Sequence, residues 1–178
     1  LYVTDGRYLH RTSDGLTFTQ VLDVGSANVI TDLNTFGDSS AVTGIIACVE
    51  STAGVAQNYR YSADGASWTT ANPSTGQEYN RMFVRDDTLF GLASPNVMES
   101  TQTPFTASPT WANALEVGDQ LGTFQWGSFA NGVMLIAKTD AIYSINPAAS
   151  NFVTPVVNQF RNNIKSNNFE AFVVGPDS

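Results

Sequence analysis

Two stretches fifty residues apart carry the same turn. "LHRTSDGLTFTQV" holds Thr12, Asp14, Gly15 and Phe18, and "YRYSADGASWTTA" holds Ser62, Asp64, Gly65 and Trp68 at matching offsets. A catalytic motif seldom occurs twice in one small chain, so the pair reads as a structural device that the fold repeats. A tight turn between strands leaves backbone N–H groups without ladder partners. A Ser or Thr hydroxyl and an Asp carboxylate can accept from those groups inside the turn. Glycine supplies a backbone angle that a Cβ would penalise. Each hydrogen bond kept in this way contributes on the order of 1 kcal/mol. The aromatic then opens the next strand, where it can pack under the turn or against a neighbouring unit.

The rest of the chain is built to match. Nowhere do apolar residues recur at helical spacing over a dozen positions. Short β-branched and aromatic runs dominate, among them "LYVTD", "TFTQVLDV", "GIIACVE", "MFVRD", "GVMLIAKT" and "AFVVG", with Gly, Asn, Asp, Ser and Pro between them. "RDDT", "ANGV" and "SNNF" read as hairpin turns, because Asn, Asp and Gly tolerate positive φ. This is an all-β chain of many short strands, the class of sandwiches, barrels and propellers.

Further copies of the turn favour a propeller. "MESTQTPFTAS" places Ser100, Gln102, Phe105 and Thr106 at the motif offsets, less one residue, and "IYSINPAASNFVTP" places Ser144 and Asn146 before Phe152. Starts at 12, 62, 100 and 144 give intervals of 50, 38 and 44, close to the ~40–50 residues of one propeller blade. Each unit reads as strand, hairpin, strand, link, strand, motif turn, strand. The units fall at about 1–26, 27–76, 77–118, 119–158 and an incomplete 159–178. The strand-2 position appears at both ends, as "LYVTD" and "EAFVVG". Two readings stay open: an excerpt of a larger propeller, or a closed ring of four blades.

Ser62-x-Asp64-Gly65-x-Ser67-Trp68 resembles a compact Asp-box, the turn of the BNR and sialidase-like β-propeller repeats, and Thr12, Asp14, Gly15, Thr17 and Phe18 match it equally well. The third copy departs with Gln102 and Thr103, and the fourth with Asn146 and Pro147. The resemblance implies boxes at the blade periphery, away from the ligand-binding face. It therefore implies structural roles for Asp14 and Asp64, with no catalysis. Sialidase-type hydrolysis would need three convergent Arg, a Tyr with a Glu partner and an acidic proton donor. The arginines are Arg7, Arg11, Arg60, Arg81, Arg85 and Arg161, of which Arg81 and Arg161 lie near the starts of inferred first strands. "QFRNNI" lacks the Ile-Pro that follows the family's Arg. Tyr79 and Glu78 are adjacent and would point to opposite faces of a strand. A degenerate glycoside hydrolase is kept as an alternative only.

Charge narrows the partners. The net charge is −8, with a pI of about 4.3, and Lys138 and Lys165 are the only lysines. Such a surface repels phosphate backbones and anionic lipid, which excludes nucleic acid and membrane headgroups as partners. No run approaches the ~18 apolar residues of a membrane span. Cys48 has no partner for an internal disulfide and reads as a buried, inert thiol. His10 is the only histidine, so a transition-metal site lacks ligands, and no elbow motif supports a triad. Asp32, Asn34 and Asp38 in "TDLNTFGDSS" faintly echo a calcium loop without the distal bidentate Glu, and read as plain loop. No phosphate loop or dinucleotide fingerprint is present. No metal or cofactor is expected.

What remains is binding or assembly. Propellers present variable loops around a channel. Here "STAGVAQNYRY", "NPSTGQEYNR", "SPTWANALEVGDQ" and "QWGSF" read as loops, with Trp111 and Trp126 in or beside them. An exposed Trp among Asn, Gln and Asp is the composition of a sugar-binding surface. The competing reading puts both rings in the core between blades. The fifteen Asn produce no N-x-[ST] sequon with x other than Pro, which disfavours a glycosylated eukaryotic secreted protein. The acidic, Lys-poor composition is similar to that of propeller modules in bacteriophage virion and bacterial surface proteins. The expectation is a non-catalytic structural or adhesion module, extracellular or in a virion. Its partners would be other protein subunits, surface glycan or a second copy, and a carbohydrate-binding lectin is the alternative.

Overall fold

The run Gly44–Val49 is apolar because both of its faces are covered. In the computed structural model, Ile46 and Cys48 enter one core cluster while Ala47 and Val49 enter another. Alternate residues of a strand point to opposite faces, so a strand buried on both sides reads as a continuous apolar run. The structure describes residues 1–37, 43–130, 132–139, 141–146 and 156–161, and for Ala130, Asn146 and 156–161 the backbone alone.

All regular structure among the described residues is β, in four antiparallel sheets. The first holds β1 (Tyr2–Thr4), β2 (Tyr8–Arg11) and β3 (Thr19–Asp23). The second holds β4 (Asn28–Gly37), β5 (Thr43–Ser51), β6 (Ala56–Ser62) and β7 (Thr69–Thr70). The third holds β8 (Arg81–Arg85), β9 (Thr88–Ala93), β10 (Val97–Thr101) and β11 (Ala112–Glu116). The fourth holds β12 (Phe124–Ala130), β13 (Val133–Lys138), β14 (Ile142–Asn146) and β15 (Val156–Arg161). Every sheet is a meander whose strands lie side by side in chain order. The β8–β9 hairpin turns through "RDDT", where Asp86 takes a φ of 51°.

Three clusters lie between successive sheets. Leu9, Leu22 and Val24 meet Ile30, Ala47 and Val49 between the first and second. Phe36, Ile46 and Tyr59 meet Met82, Leu89 and Trp111 between the second and third. Phe83, Phe90 and Leu92 meet Met134, Ile136 and Tyr143 between the third and fourth. The initial strands of the last three sheets adjoin, β4 against β8 and β8 against β12.

Several sequence expectations need correction. "TDLNTFG" is strand β4, not loop, because Asp32 and Asn34 hydrogen-bond the backbone of the next sheet. "QWGSF" lies within β12, and "SPTWANALEVGDQ" contains β11. Arg161 ends β15, the last strand of its sheet, paired with Ile142, and does not begin a first strand. The fourth sheet therefore runs past the expected boundary at 158. Asp38, Pro147, Phe152, Lys165, "SNNF" and "EAFVVG" lie outside the described residues.

Candidate functional site

The two motif turns have one geometry. Thr12 Oγ1 donates to Asp14 Oδ1 at 2.9 Å and accepts from the Gly15 amide at 2.9 Å. Asp14 Oδ1 also accepts from the Leu16 and Thr17 amides, each at 2.9 Å. In the second turn Ser62 Oγ donates to Asp64 Oδ1 at 2.9 Å and accepts from Gly65 N at 2.8 Å. Asp64 Oδ1 accepts from Ala66 N at 2.8 Å and Ser67 N at 2.7 Å. Gly15 and Gly65 take φ of 74° and 70°, the left-handed region where a Cβ is penalised. The amides of Thr17 and Leu16 and the Thr12 hydroxyl hold the Asp14 carboxyl down at about 2. Ser67, Ala66 and Ser62 hold Asp64 well below the usual carboxylate range. A carboxylate saturated in this way is a poor proton donor or base at neutral pH.

The aromatics of the two turns differ. Trp68 packs on the cluster shared by the first and second sheets. Phe18, expected to pack under its turn or against a neighbour, is 46% exposed. The third turn uses a different hydroxyl from the one the spacing indicates. Thr101 Oγ1 accepts from the Thr103 amide at 3.2 Å, whereas Ser100 Oγ accepts from Asn113 Nδ2 at 3.2 Å. Phe105 nonetheless packs edge-on to Phe36, with ring centroids 5.6 Å apart, and against Tyr61. The fourth turn, from Pro147 to Phe152, lies outside the described residues.

The initial strands frame a cleft of about 620 Å³, lined by β4, β8, β12 and Tyr2. Trp126 and Ser128 form one wall, and Asp32, Asn34 and Thr35 another. Asp32 and Asn34 are committed to the fold. Asp32 Oδ2 accepts from the Met82 amide at 3.1 Å and from Asn34 Nδ2 at 3.0 Å. Asn34 Nδ2 also donates to Met82 O at 3.1 Å. Together the two side chains satisfy both backbone groups of Met82, as a paired strand would. Burial raises the Asp32 carboxyl above its ordinary value, against the Met82 and Asn34 hydrogen bonds. Arg81 lines the cleft and pairs with Glu50 at 3.0 Å; Glu50 also accepts from Asn80 Nδ2. A second cleft of about 480 Å³ opens beyond Arg81, among Glu50, Val55, Glu78, Ser94, Thr123 and Gln125.

The two candidate tryptophans part company. Trp126 is half-buried and lines the cleft from strand β12. Trp111 is 4% exposed, its ring tilted 31° against that of Tyr79 with centroids 4.2 Å apart, in the core between the second and third sheets. It cannot meet a ligand, which corrects its reading as a binding residue. Beneath it lies a pair the sequence did not reveal. Tyr79 donates to Glu99 Oε2 at 2.6 Å, and Thr75 donates to the same oxygen at 2.8 Å. Tyr79 and Glu99 are both buried and line neither cleft, so this Tyr–Glu pair joins β10 to the link before β8.

The remaining candidates are dispersed. Arg7 forms a two-pronged pair with Asp23 at 2.7 Å per bond. Arg11 donates to Asp64 O, and Arg85 lies over Phe129. Among the described residues Arg81 is the one arginine lining the large cleft. His10 is half-buried on β2, 3.9 Å from Asp5. Cys48 is buried, and burial pushes its thiol up. Buried Lys138 donates to Val117 O beside the Phe124 and Tyr143 rings. Among the described residues no three His, Cys, Asp or Glu side chains gather to hold a metal ion. No family model, curated protein or solved structure matches the chain.

Proposed function

We propose that the chain is a non-catalytic module of β-propeller blades, serving as a structural or adhesion part of a virion or cell-surface assembly. One observation carries the reading. Four meander sheets follow one another, and the carboxylates of the two motif turns and of Asp32 are taken up by backbone amides. Successive meanders whose initial strands adjoin are what a blade arrangement requires. The carboxylates of Asp14 and Asp64 serve their own turns, and Asp32 serves Met82. The charge of −8 with two lysines suits a protein or glycan partner better than a polyanion.

A second reading, a lectin, draws on Trp126. Its half-buried ring shares the cleft with Ser128 and Asn34, and apolar sugar faces stack on such rings. Three assays separate the readings. Incorporation into a larger particle, without glycan binding or turnover, is the outcome expected of the structural module. Glycan-array binding that Trp126→Ala abolishes would replace it with the lectin. Release of a sugar from a fluorogenic glycoside would overturn both.

A further inference from the structure

We propose that the second cleft, between Glu50 and Gln125, binds the protonated side-chain amine of a lysine from a partner protein. Three successive sheets build this cleft, through the β5–β6 hairpin, the link before β8 and the start of β12. Its chemistry follows from which polar atoms are already used. Arg81 Nη1 and Asn80 Nδ2 both donate to Glu50 Oε1, at 3.0 and 3.1 Å. Gln125 Nε2 donates to Thr123 Oγ1 at 3.2 Å and to Phe124 O at 3.3 Å. These nitrogens serve the fold, and the oxygens beside them do not. Glu50 Oε2 has no hydrogen-bond partner among the described residues, although its side chain is only 15% exposed. Gln125 Oε1 likewise has none among the described residues. Glu78, exposed at the same cleft, adds a second carboxylate. A mostly buried carboxylate is costly until its oxygens are met, and an ion pair through one oxygen leaves the other unmet.

Acceptors facing a cleft call for a donor, and charge selects a cation. Two carboxylates against the one guanidinium of Arg81 leave the cleft net negative, within a chain of charge −8. An ammonium carries donors and no acceptor, so it can meet Glu50 Oε2 and Gln125 Oε1 together. Val55, 56% exposed, and Ala56 line the same cleft and offer an apolar bed for the methylene stem, as long basic side chains prefer. The volume of about 480 Å³ admits such a side chain. A divalent ion is the competing occupant. Calcium takes six or more oxygens, and among the described residues no three His, Cys, Asp or Glu side chains gather anywhere to hold one. The cleft is also remote from the motif turns: the β5–β6 hairpin and the second turn lie at opposite ends of β6.

The inference takes the partner to be protein, as the reading above does. Nα-acetyl-lysine amide is the probe, titrated into the isotope-labelled chain and followed by NMR. Saturable shifts of the Glu50, Glu78 and Gln125 amides are expected, with a dissociation constant on the order of 1 mM, weakening as salt screens the pair. Glu50→Gln keeps an acceptor for Asn80 and should weaken binding about tenfold. Because Glu50 also supports Arg81, Glu78→Lys is the second variant: its position is exposed, so circular dichroism should hold while like charge weakens binding about fivefold. Shifts that never saturate, equal binding of the uncharged Nα-acetyl-norleucine amide, or an affinity unchanged in both variants would overturn the proposal. So would calcium that displaces the probe, which would assign the cleft to a metal ion. Glucosamine binding where the lysine probe does not would assign it to an amino sugar and overturn the proposal equally. Particle incorporation tests the structural reading and the titration tests the cleft, so either can fail without the other.

Discussion

The first and second motif turns share their hydrogen bonds and differ in their surroundings. Thr12 and Ser62 accept from the third residue on, and Asp14 and Asp64 each clasp two further amides. A Cβ at Gly65 would meet Tyr2 and Ile45, whereas one at Gly15 would meet nothing within 4 Å. Trp68 is packed on a core while Phe18 faces outward. The turn is thus a local device, closed by its own five or six residues. Whether it also joins sheets depends on what lies beside it. Variants at matched positions can separate these two functions of one motif.

The largest difference is expected at the aromatics. Trp68→Ala removes a half-buried ring from the first inter-sheet cluster and should cost about 2 kcal/mol. Phe18→Ala, tested in dilute solution, should cost under about 0.5 kcal/mol, as exposed substitutions do. Urea melts of both variants check this. Equal losses would mean that Phe18 is buried in solution, and the contrast between the turns would fall.

Glycine comes next. Alanine at either position meets the left-handed penalty of about 1 kcal/mol. At Gly15 that is the whole effect. At Gly65 a Cβ would stand 2.0 Å from the Tyr2 hydroxyl, so Tyr2 must move, at a further cost of about 1 kcal/mol. Adding Tyr2→Phe to Gly65→Ala should recover much of that extra loss, which a double-mutant cycle measures. No recovery would show that the strain lies in the turn itself.

These pairs also show what the sequence made legible. The turns were readable because their hydroxyl, carboxylate and glycine act within a few residues of one another. "GIIACVE" was readable as buried because the apolar run has no polar face. Trp111 and Trp126 were not separable, since burial depends on which sheet each ring meets. Asp32 and Asn34 looked like loop because their partner, Met82, lies fifty residues away and belongs to another sheet. The Tyr79–Glu99 pair joins residues 20 apart and leaves no local pattern. The hydroxyl of the third turn was misassigned by one residue: Ser100 fits the motif spacing better, but its side chain is taken by Asn113 and Thr101 accepts from the turn amide instead.

The side-chain hydroxyls should sharpen the common half of the comparison. Ser62 and Thr12 are both buried, and each bonds a glycine amide and a carboxylate. Ser62→Ala and Thr12→Ala should each cost about 1 kcal/mol, measured by urea denaturation. A twofold larger loss at Ser62 would mean that the neighbouring sheet strengthens the turn's internal bonds, against the view that the device is self-contained.

The smallest effect is the response to acid. Asp14 titrates at about 2 in the fold, below the ordinary carboxylate value of about 4, and Asp64 is also depressed. A depressed carboxylate stabilises the fold fully above its unfolded value, and the contribution is lost as pH falls through the folded value. Both turns should therefore weaken the chain below about pH 4. Asp32 works with the opposite sign, because burial raises it. Its ionisation costs the fold at neutral pH, and that cost is relieved as pH falls toward its ordinary value. Stability should rise slightly on mild acidification and then fall. Both motif carboxylates are open to solvent, so screening keeps the acid limb shallow. Asp14→Asn and Asp64→Asn should flatten that limb to a similar degree, and Asp32→Asn should remove the preceding rise while leaving the limb in place. Urea midpoints taken from pH 2.5 to 7 read both features. If only Asp64→Asn flattened the limb, the first turn would not hold its hydrogen bonds in solution, and the two turns would differ inside as well as outside.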